Sequence, residues 1–232
     1  KRLPHWLLDA LGPTDAVHAV FEQQDSGCVS FGVTQAGTRF FVKTATTAKA
    51  RAGLDRASAL HGAVRHPTIV RPVSKFCSQH GMALVYPWVE GQLLYAPQDD
   101  RCSRDSAPRR FRELPVSQVC EALDDLFDAH RALAARGFVS SDFYDGSMMY
   151  DFDRRKLWLI DLDEYRDRPF TLLDGRAPGS TRFMAPEEYT SGAYPLVLHA
   201  DADPSGLGGT AICGFSTVGS VGVIATSHLI KT

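Results

Sequence analysis

The sequence lacks the features that mark a secreted, disulfide-bonded or zinc-binding chain. Its five cysteines are scattered, and no two of them form a CxxC pair. An odd, unpatterned set of this kind is typical of reduced thiols, so we expect a cytoplasmic protein. The first residues also lack the long apolar run of a signal peptide. An initial Met is absent too, as is expected of a fragment or a processed form.

The chain has little net charge. A formal charge of −2 over 232 residues gives no global basic field, so nucleic acid is not an expected partner. With 44% hydrophobic and 22% charged residues, the composition is that of an ordinary globular protein. The length suffices for one sizeable domain or two small lobes.

The last part of the chain lacks charge of either sign. Residues 204–230 contain no Asp, Glu, Lys or Arg and are rich in Gly, Ser and Thr. This composition is only weakly apolar, well below a Leu-rich span of about 20 residues, so a membrane helix is not expected. We therefore separate residues 194–232 as a tail, and a shifted reading frame is one explanation of its composition.

Residues 1–86 have the pattern of a β-rich lobe with the order β-β-β-α-β-β. Strands are predicted at residues 17–21, 28–33, 38–44, 69–76 and 82–86, and a helix at residues 48–64. The helix is rich in Ala and Arg, and it must end near His66 because a residue that precedes a proline avoids the helical region.

Residues 87–193 differ from the first lobe in composition and in the spacing of their apolar residues. A polar segment, residues 98–112, predicts a surface loop. The clearest helix is predicted over residues 116–136, where apolar residues recur at helical spacing before Gly137. A short strand over residues 138–140 and a β-hairpin over residues 147–162 follow. The whole pattern predicts an α+β fold with two lobes.

Four motifs occur in a fixed order. FFVK ends at Lys43, Asp142 follows the long helix, LIDLD contains Asp161, and residues 179–187 are GSTRFMAPE. In this order and spacing they resemble the protein-kinase-like superfamily, which includes protein kinases and the bacterial aminoglycoside and small-molecule phosphotransferases. The resemblance covers roughly residues 15–190. It implies a two-lobed fold with a β-rich first lobe and a helical second lobe that is truncated here, together with ATP and Mg²⁺.

The resemblance implies that residues of the first lobe bind the nucleotide. Lys43 matches the strand lysine that pairs with the phosphates. Gly27 and Gly32 occupy the place of the glycine-rich loop, where backbone amides approach phosphates, although the full GxGxxG pattern is absent. Residues 86–91 resemble the hinge that holds the adenine edge.

The resemblance also implies the catalytic and metal-binding residues. Asp142 matches the catalytic aspartate that orients the acceptor hydroxyl. Asp161 takes the position of the metal-binding aspartate, and Ser147 stands where the metal-binding asparagine is expected. A serine hydroxyl is a weaker, neutral ligand for Mg²⁺.

One part of the expected machinery is missing. No glutamate lies between Lys43 and His66, and the only acid there is Asp55, which would lie on a different helical face from the expected slot near Ala57. The usual His-Arg or His-Gly before Asp142 is also replaced by two serines. The missing glutamate, Ser147 in place of the asparagine and the lack of recognisable later helices of the second lobe favour an alternative function, a non-catalytic pseudokinase or degenerate kinase fragment that acts as a binding module.

We expect an ATP-dependent phosphotransferase whose acceptor is a hydroxyl of a protein or a small molecule. Residues 179–187 favour a Ser/Thr protein kinase. Asp163, the third residue of the run Asp161-Leu162-Asp163, is more typical of small-molecule phosphotransferases. Thr171, Ser180 and Thr181 are candidate phosphorylation sites, and none is singled out. A tail that anchors the chain to a membrane is a third alternative.

Overall fold

The structure is a computed structural model that describes residues 3–22, 26–97, 100, 103–140, 142–167, 170–171 and 193–194. The chain divides into two compact units. The first is Lys1–Glu90 with Asp161–Glu164, and the second is Gly91–Ile160 with Tyr165–Thr232. The sequence-based boundaries, 1–86, 87–193 and 194–232, stay a prediction. Residues 179–187, Ser180 and Thr181 among them, lie outside the described residues, as does the tail from residue 195.

The first unit is built on a five-stranded antiparallel sheet with the strand order β1-β2-β3-β5-β4. The strands are β1 (Ala16–Phe21), β2 (Val29–Gln35), β3 (Thr38–Ala45), β4 (Ser74–Cys77) and β5 (Met82–Pro87). A two-residue turn joins β2 to β3. Its residues Ala36 and Gly37 both have positive φ, +47° and +73°, as the twist of a tight hairpin requires.

Both faces of this sheet are covered by helices. The helix α1 (His5–Leu11) packs with Ala83 and Val85 on one face. The helix α2 (Ala48–Ala63) packs with Met82 and Leu84 on the other. Successive residues of β5 point to opposite faces, so this apolar strand fills two cores at once. The sequence pattern did not predict α1, which has only two turns.

The helix predicted over residues 48–64 is confirmed as α2. Its N-cap is Thr47, whose hydroxyl accepts a hydrogen bond from the backbone N–H of Ala50 at 3.2 Å. The strand predicted over residues 69–76 is wrong in its first half, since β4 begins only at Ser74. Pro72 has no N–H to donate to a ladder, which explains the late start.

The second unit contains the longest helix described, α4 (Val116–Ala135), which confirms the prediction over residues 116–136. The segment predicted as a loop contains the short helix α3 (Ala107–Arg112), so that prediction is wrong in part. Its Pro108 lies in the first turn, where a missing N–H costs nothing. The hydrophobic pattern did not reveal α3 because none of its residues is buried.

The strands of the second unit are short. They are β6 (Gln92–Leu93), β7 (Phe138–Ser140), β8 (Met148–Asp151), β9 (Lys156–Leu159), β10 (Tyr165–Asp167), β11 (Phe170–Thr171) and β12 (Ala193–Tyr194). They form three small antiparallel sheets, β6-β8-β9, β7-β10 and β11-β12. The hairpin β8-β9 confirms the prediction around residues 153–155, and α4 packs against β7 and β9. In the described part of the chain, no helix is long and apolar enough to cross a membrane.

Candidate functional site

Lys43 lies near the end of β3 and is buried. It is paired across the sheet with Ser30 of β2 and Leu84 of β5. Residues directly opposite each other on neighbouring strands share a face of the sheet, and Leu84 belongs to the core that α2 covers. The sheet therefore directs the side chain of Lys43 to the α2 side.

Two carboxylates meet the ammonium of Lys43. Its Nζ lies 2.6 Å from Oδ1 of Asp161 and 2.5 Å from Oδ2 of Asp163. The contact with Asp161 has hydrogen-bond geometry, whereas the contact with Asp163 is an ion pair by distance only. We call these three residues the lysine cluster. It joins two residues predicted from sequence, Lys43 and Asp161, with one to which no role was assigned.

The charges of the lysine cluster compensate one another. Burial by itself would lower the pKa of Lys43, but the attraction of Asp161 and Asp163 outweighs it and holds that pKa above its ordinary value. Burial raises the pKa of Asp163, and the negative charge of Asp161 adds to the rise while Lys43 opposes it. Lys43 therefore remains a cation at neutral pH, as a phosphate-binding group must.

The backbone of Asp161 has an unusual conformation. Its φ is +59°, in the left-handed region, which Asp tolerates better than most residues other than Gly. Local strain of this kind is found at functional sites, where it presets the direction of a side chain. The side chain of Asp161 is 42% exposed, so its second oxygen can reach a ligand from solvent.

Helix α2 contacts the segment that carries the two aspartates. Arg56 donates a hydrogen bond from Nε to the backbone carbonyl of Asp163 at 3.0 Å, and from Nη2 to Oε1 of Glu164 at 2.8 Å. Gly53, one turn earlier, lies so close that a Cβ there would be 3.6 Å from the Cβ of Asp163. The helix therefore packs directly on the lysine cluster.

The two glycines predicted to approach phosphates have different surroundings. Gly27 has φ +73° and lies beside the N-terminus of α2, where a Cβ would be 3.9 Å from Oγ1 of Thr47. Gly32 lies within β2, and a Cβ there would come within 2.6 Å of Nε2 of His18 and 2.9 Å of Trp88. Packing of His18 and Trp88 is thus a sufficient reason for glycine at position 32, and phosphate binding by either glycine stays a prediction.

In the second unit, the predicted catalytic residue Asp142 lies two residues after the last residue of β7. Its backbone N–H donates a hydrogen bond to Oγ of Ser140 at 3.3 Å. Ser147 ends a single 3-10 turn, Asp145–Ser147, and its carbonyl accepts a hydrogen bond at 2.9 Å from the N–H of Ile160, the residue before Asp161. The N–H of Ser147 also donates a hydrogen bond to the carbonyl of Tyr144 at 2.9 Å, so both backbone polar groups of Ser147 are bonded.

A buried group of aromatic side chains lies next to Asp142. The ring of His130, on α4, contacts Phe143 edge-on with centroids 4.7 Å apart. Nδ1 of His130 lies 3.0 Å from the carbonyl of Leu126, so Nδ1 carries the proton, and Nε2 accepts a hydrogen bond at 2.8 Å from the hydroxyl of Tyr165. We call His130, Phe143 and Tyr165 the histidine cluster. It ties α4, the loop after β7 and β10 together.

Asp161 of the first unit and Ser147 of the second, the two residues predicted to bind metal, each carry an oxygen donor. Carboxylate and hydroxyl oxygens are hard ligands of the kind that Mg²⁺ prefers. Oγ of Ser147 is buried and has no hydrogen-bond partner among the described residues, as expected of an atom that awaits a ligand. Within the same described residues, no group of three or more His, Cys, Asp or Glu side chains is arranged to hold a metal.

Sequence reasoning predicted site roles for Lys43 and Asp161 and assigned no role to Asp163 or Arg56. The sequence contains two indications of a role for Asp163, namely a helix without glutamate and an extra acid two residues after Asp161. Their connection is a contact between residues more than a hundred positions apart, which no local pattern contains.

The fold defines the class of protein to which the chain is similar. It is a protein-kinase-like α+β fold, as predicted. Among solved structures, the chain is similar to the protein kinase PK-1 of the Cydia pomonella granulovirus, with a TM-score of 0.63 and 16% sequence identity. The match covers 82% of this chain and 67% of that one. No family model matches the chain, and no curated protein sequence matches it significantly. At this identity the likeness concerns the fold alone.

Proposed function

We propose that this protein is an ATP- and Mg²⁺-dependent phosphotransferase that transfers the γ-phosphate to a hydroxyl group. The observation that carries the proposal is the lysine cluster. In this cluster a buried, cationic lysine lies beside Asp161, whose backbone is strained and whose side chain is half-exposed. Such an arrangement adds little stability, since the attraction within a buried ion pair seldom exceeds its desolvation cost. It is a suitable device for binding a phosphate and its metal.

Each residue then has a distinct role. Lys43 contacts the nucleotide phosphates, and the segment from Gly27 to Gly32 covers them. Asp161 and Ser147 hold Mg²⁺, which when bound neutralises charge on the phosphates. The contact between Lys43 and Asp161 must loosen when these ligands bind, because both groups then acquire stronger partners.

The transfer itself needs a group that orients the acceptor. The acceptor oxygen forms a bond to the γ-phosphorus while the bond from that phosphorus to the β–γ bridging oxygen breaks, and ADP leaves with the electron pair. Asp142 orients the acceptor hydroxyl and accepts its proton. A Ser/Thr protein acceptor is favoured by residues 179–187, and the cytoplasm is the compartment we expect.

A second candidate function is nucleotide binding without turnover. It is favoured by α2, which supplies no acid to Lys43. The two functions separate at Asp142. An Asp142→Asn variant of a phosphotransferase retains MgATP binding and loses turnover by about 100-fold or more, whereas in a binding module the substitution changes neither.

The first experiment is a thermal shift with MgATP on the full chain. We expect a magnesium-dependent rise in melting temperature that is lost in Lys43→Ala and in Asp161→Ala, each shown to be folded by circular dichroism. Turnover is then measured with labelled ATP on a Ser/Thr-containing protein and on small-molecule alcohols. A folded wild-type chain that shows no shift would contradict the proposal.

A further inference from the structure

Asp163 is a buried acid that has neither a metal-binding nor an acceptor-orienting role in the proposed function. Building on that function, we propose that Asp163 is a positioning residue that holds the Lys43 ammonium for the nucleotide phosphates, and that Arg56 ties helix α2 to it. In this arrangement Asp163 takes the role that the kinase-like resemblance assigns to a helix glutamate.

The two aspartates of the lysine cluster differ in burial. The side chain of Asp163 is 4% exposed and that of Asp161 is 42% exposed, although both oxygens lie within 2.6 Å of Nζ of Lys43. A buried carboxylate cannot exchange its partner for water without a large desolvation cost. Asp163 is therefore the permanent partner of Lys43, and Asp161 is the partner that can be exchanged for a ligand.

Helix α2 offers no acid that could compete for this role. Its single acid, Asp55, points to solvent and pairs with Lys75 of β4 at 3.0 Å. The slot where a glutamate is expected, near Ala57, is part of the apolar core against Met82 and Leu84. The cation must therefore find its fixed partner outside the helix, and the segment after β9 supplies it.

Arg56 restores the connection between α2 and the lysine that the missing glutamate would have made. Its guanidinium donates one hydrogen bond to the backbone carbonyl of Asp163 and another to the carboxylate of Glu164. The fork geometry of arginine makes such a double contact directional. A displacement of α2 would thus move Asp163, and Asp163 would move the ammonium of Lys43.

The pairing can be tested in the absence of nucleotide by a double-mutant cycle. The variants are Lys43→Met, Asp163→Asn and the double variant, with Asp161→Asn in place of Asp163→Asn as the matched control. We expect Lys43→Met to lower the melting temperature of the full chain by about 6 °C or more, because it leaves Asp163 buried without its cation. The double variant should recover about 4 °C relative to the sum of the singles, and the Asp161 cycle less than about 2 °C.

This cycle remains decisive if Asp163→Asn fails to fold. A folded double variant beside an unfolded single variant supports the pairing, because only removal of both charges leaves nothing buried and uncompensated. Additive effects at Asp163, or a coupling no larger than that at Asp161, would overturn it.

Positioning is then measured as the affinity for ADP in the presence of EDTA, by calorimetry well below every melting temperature. Without metal, the affinity reports the contact of the phosphates with Lys43. We expect Asp163→Asn to weaken binding about tenfold and Arg56→Gln about threefold. Arg51→Gln is the matched control, since Arg51 lies on the same helix and donates to the carbonyls of Ser78 and Gln79 instead.

The outcomes distinguish the two proposals. Unchanged ADP affinity in Asp163→Asn, or equal losses in Arg56→Gln and Arg51→Gln, overturns the positioning role even if stability falls. A folded wild-type chain that binds no nucleotide overturns the proposed function, and the cycle without nucleotide then decides the Lys43–Asp163 pairing by itself.

Discussion

Each unit of the molecule buries a polar cluster. One cluster contains ionised groups, and the other is neutral. The lysine cluster of the first unit consists of a cation and two carboxylates. The histidine cluster of the second unit is neutral, and both ring nitrogens of His130 have hydrogen-bond partners. One cluster includes the half-exposed side chain of Asp161, whereas all three residues of the other are buried.

Under the proposed function, this difference separates a cluster that serves stability from a cluster that serves ligand binding. A fully satisfied neutral network costs little to bury and fixes the packing of the elements around it. An ionic cluster costs desolvation free energy that a set of apolar side chains would not, so it persists where a charge is needed for a ligand. We therefore expect low pH, and removal of the Tyr165 hydroxyl, to destabilise the second unit. We expect loss of a compensating charge in the lysine cluster to weaken ligand binding by the first unit.

Low pH is expected to give the largest difference in stability effect between the two clusters. Burial lowers the pKa of His130 to about 4. The pKa of His61, which lies on α2 of the first unit and outside both clusters, is also lowered to about 4, by burial and by Arg71. Between pH 6.5 and 4 these histidines bind protons in the unfolded chain but not in the folded chain. The free energy of unfolding therefore falls as the pH falls. The loss from His130 is about 1.4 kcal/mol per pH unit, roughly 3 kcal/mol in all.

Lys43 does not contribute to that loss. Its pKa is raised, so its stabilising contribution is complete below the ordinary lysine value and is lost only at strongly alkaline pH. Urea denaturation of wild type and His130→Gln at pH 7.5, 6, 5 and 4 provides the test. A slope that is unchanged in His130→Gln would show that His130 is protonated in the folded chain and that the histidine cluster is not neutral.

Removal of one hydroxyl gives the next largest effect. Tyr165→Phe leaves Nε2 of His130 buried without its donor, which costs about 1–3 kcal/mol of unfolding free energy. The matched control is Tyr95→Phe, because Tyr95 is 44% exposed and water can replace its hydroxyl contacts. Urea denaturation at pH 7.5 compares the two variants. Equal losses in both would contradict the special role of the buried hydroxyl.

Local patterns predicted the parts of the fold that depend on local physics. Helical spacing of apolar residues located α4, and the hairpin of β8 and β9 followed from a polar turn between apolar runs. The position of Lys43 on a strand was predicted in the same way. In contrast, α1 and α3 are too short for a period to be distinguished from chance.

The candidate site was predicted only as far as its residues have recognisable neighbours in sequence. Asp161 follows an apolar run, residues 157–160, which local sequence reveals. The partnership of Lys43 with Asp163 depends on how β3 and the segment after β9 come together, and the packing reason for Gly32 depends on His18 and Trp88. Tertiary contacts of this kind leave no trace in a short window of residues.

The N-cap of α2 tests how firmly that helix is held over the lysine cluster. Thr47→Ala removes the hydroxyl that accepts from the N–H of Ala50, which typically costs about 1 kcal/mol. Because Arg56 on the same helix grips Asp163, we also expect ADP affinity to fall about twofold. Thr47→Ser, which keeps the capping oxygen, is the control. If Ser and Ala variants lose the same stability, the cap contributes nothing.

The smallest effect is expected at an ion pair in the same unit that is exposed instead of buried. Arg39 pairs with Glu90, and their side chains are 51% and 46% exposed. Water screens such a pair and ordering its long side chains costs entropy, so Arg39→Gln should change the unfolding free energy by less than about 1 kcal/mol. The measured change should shrink further in 0.5 M salt, whereas the Lys43–Asp163 coupling should persist because solvent ions cannot reach it. Equal salt sensitivity of both pairs would mean that the lysine cluster is open to solvent, and the contrast between exposed and buried charge in the first unit would then disappear.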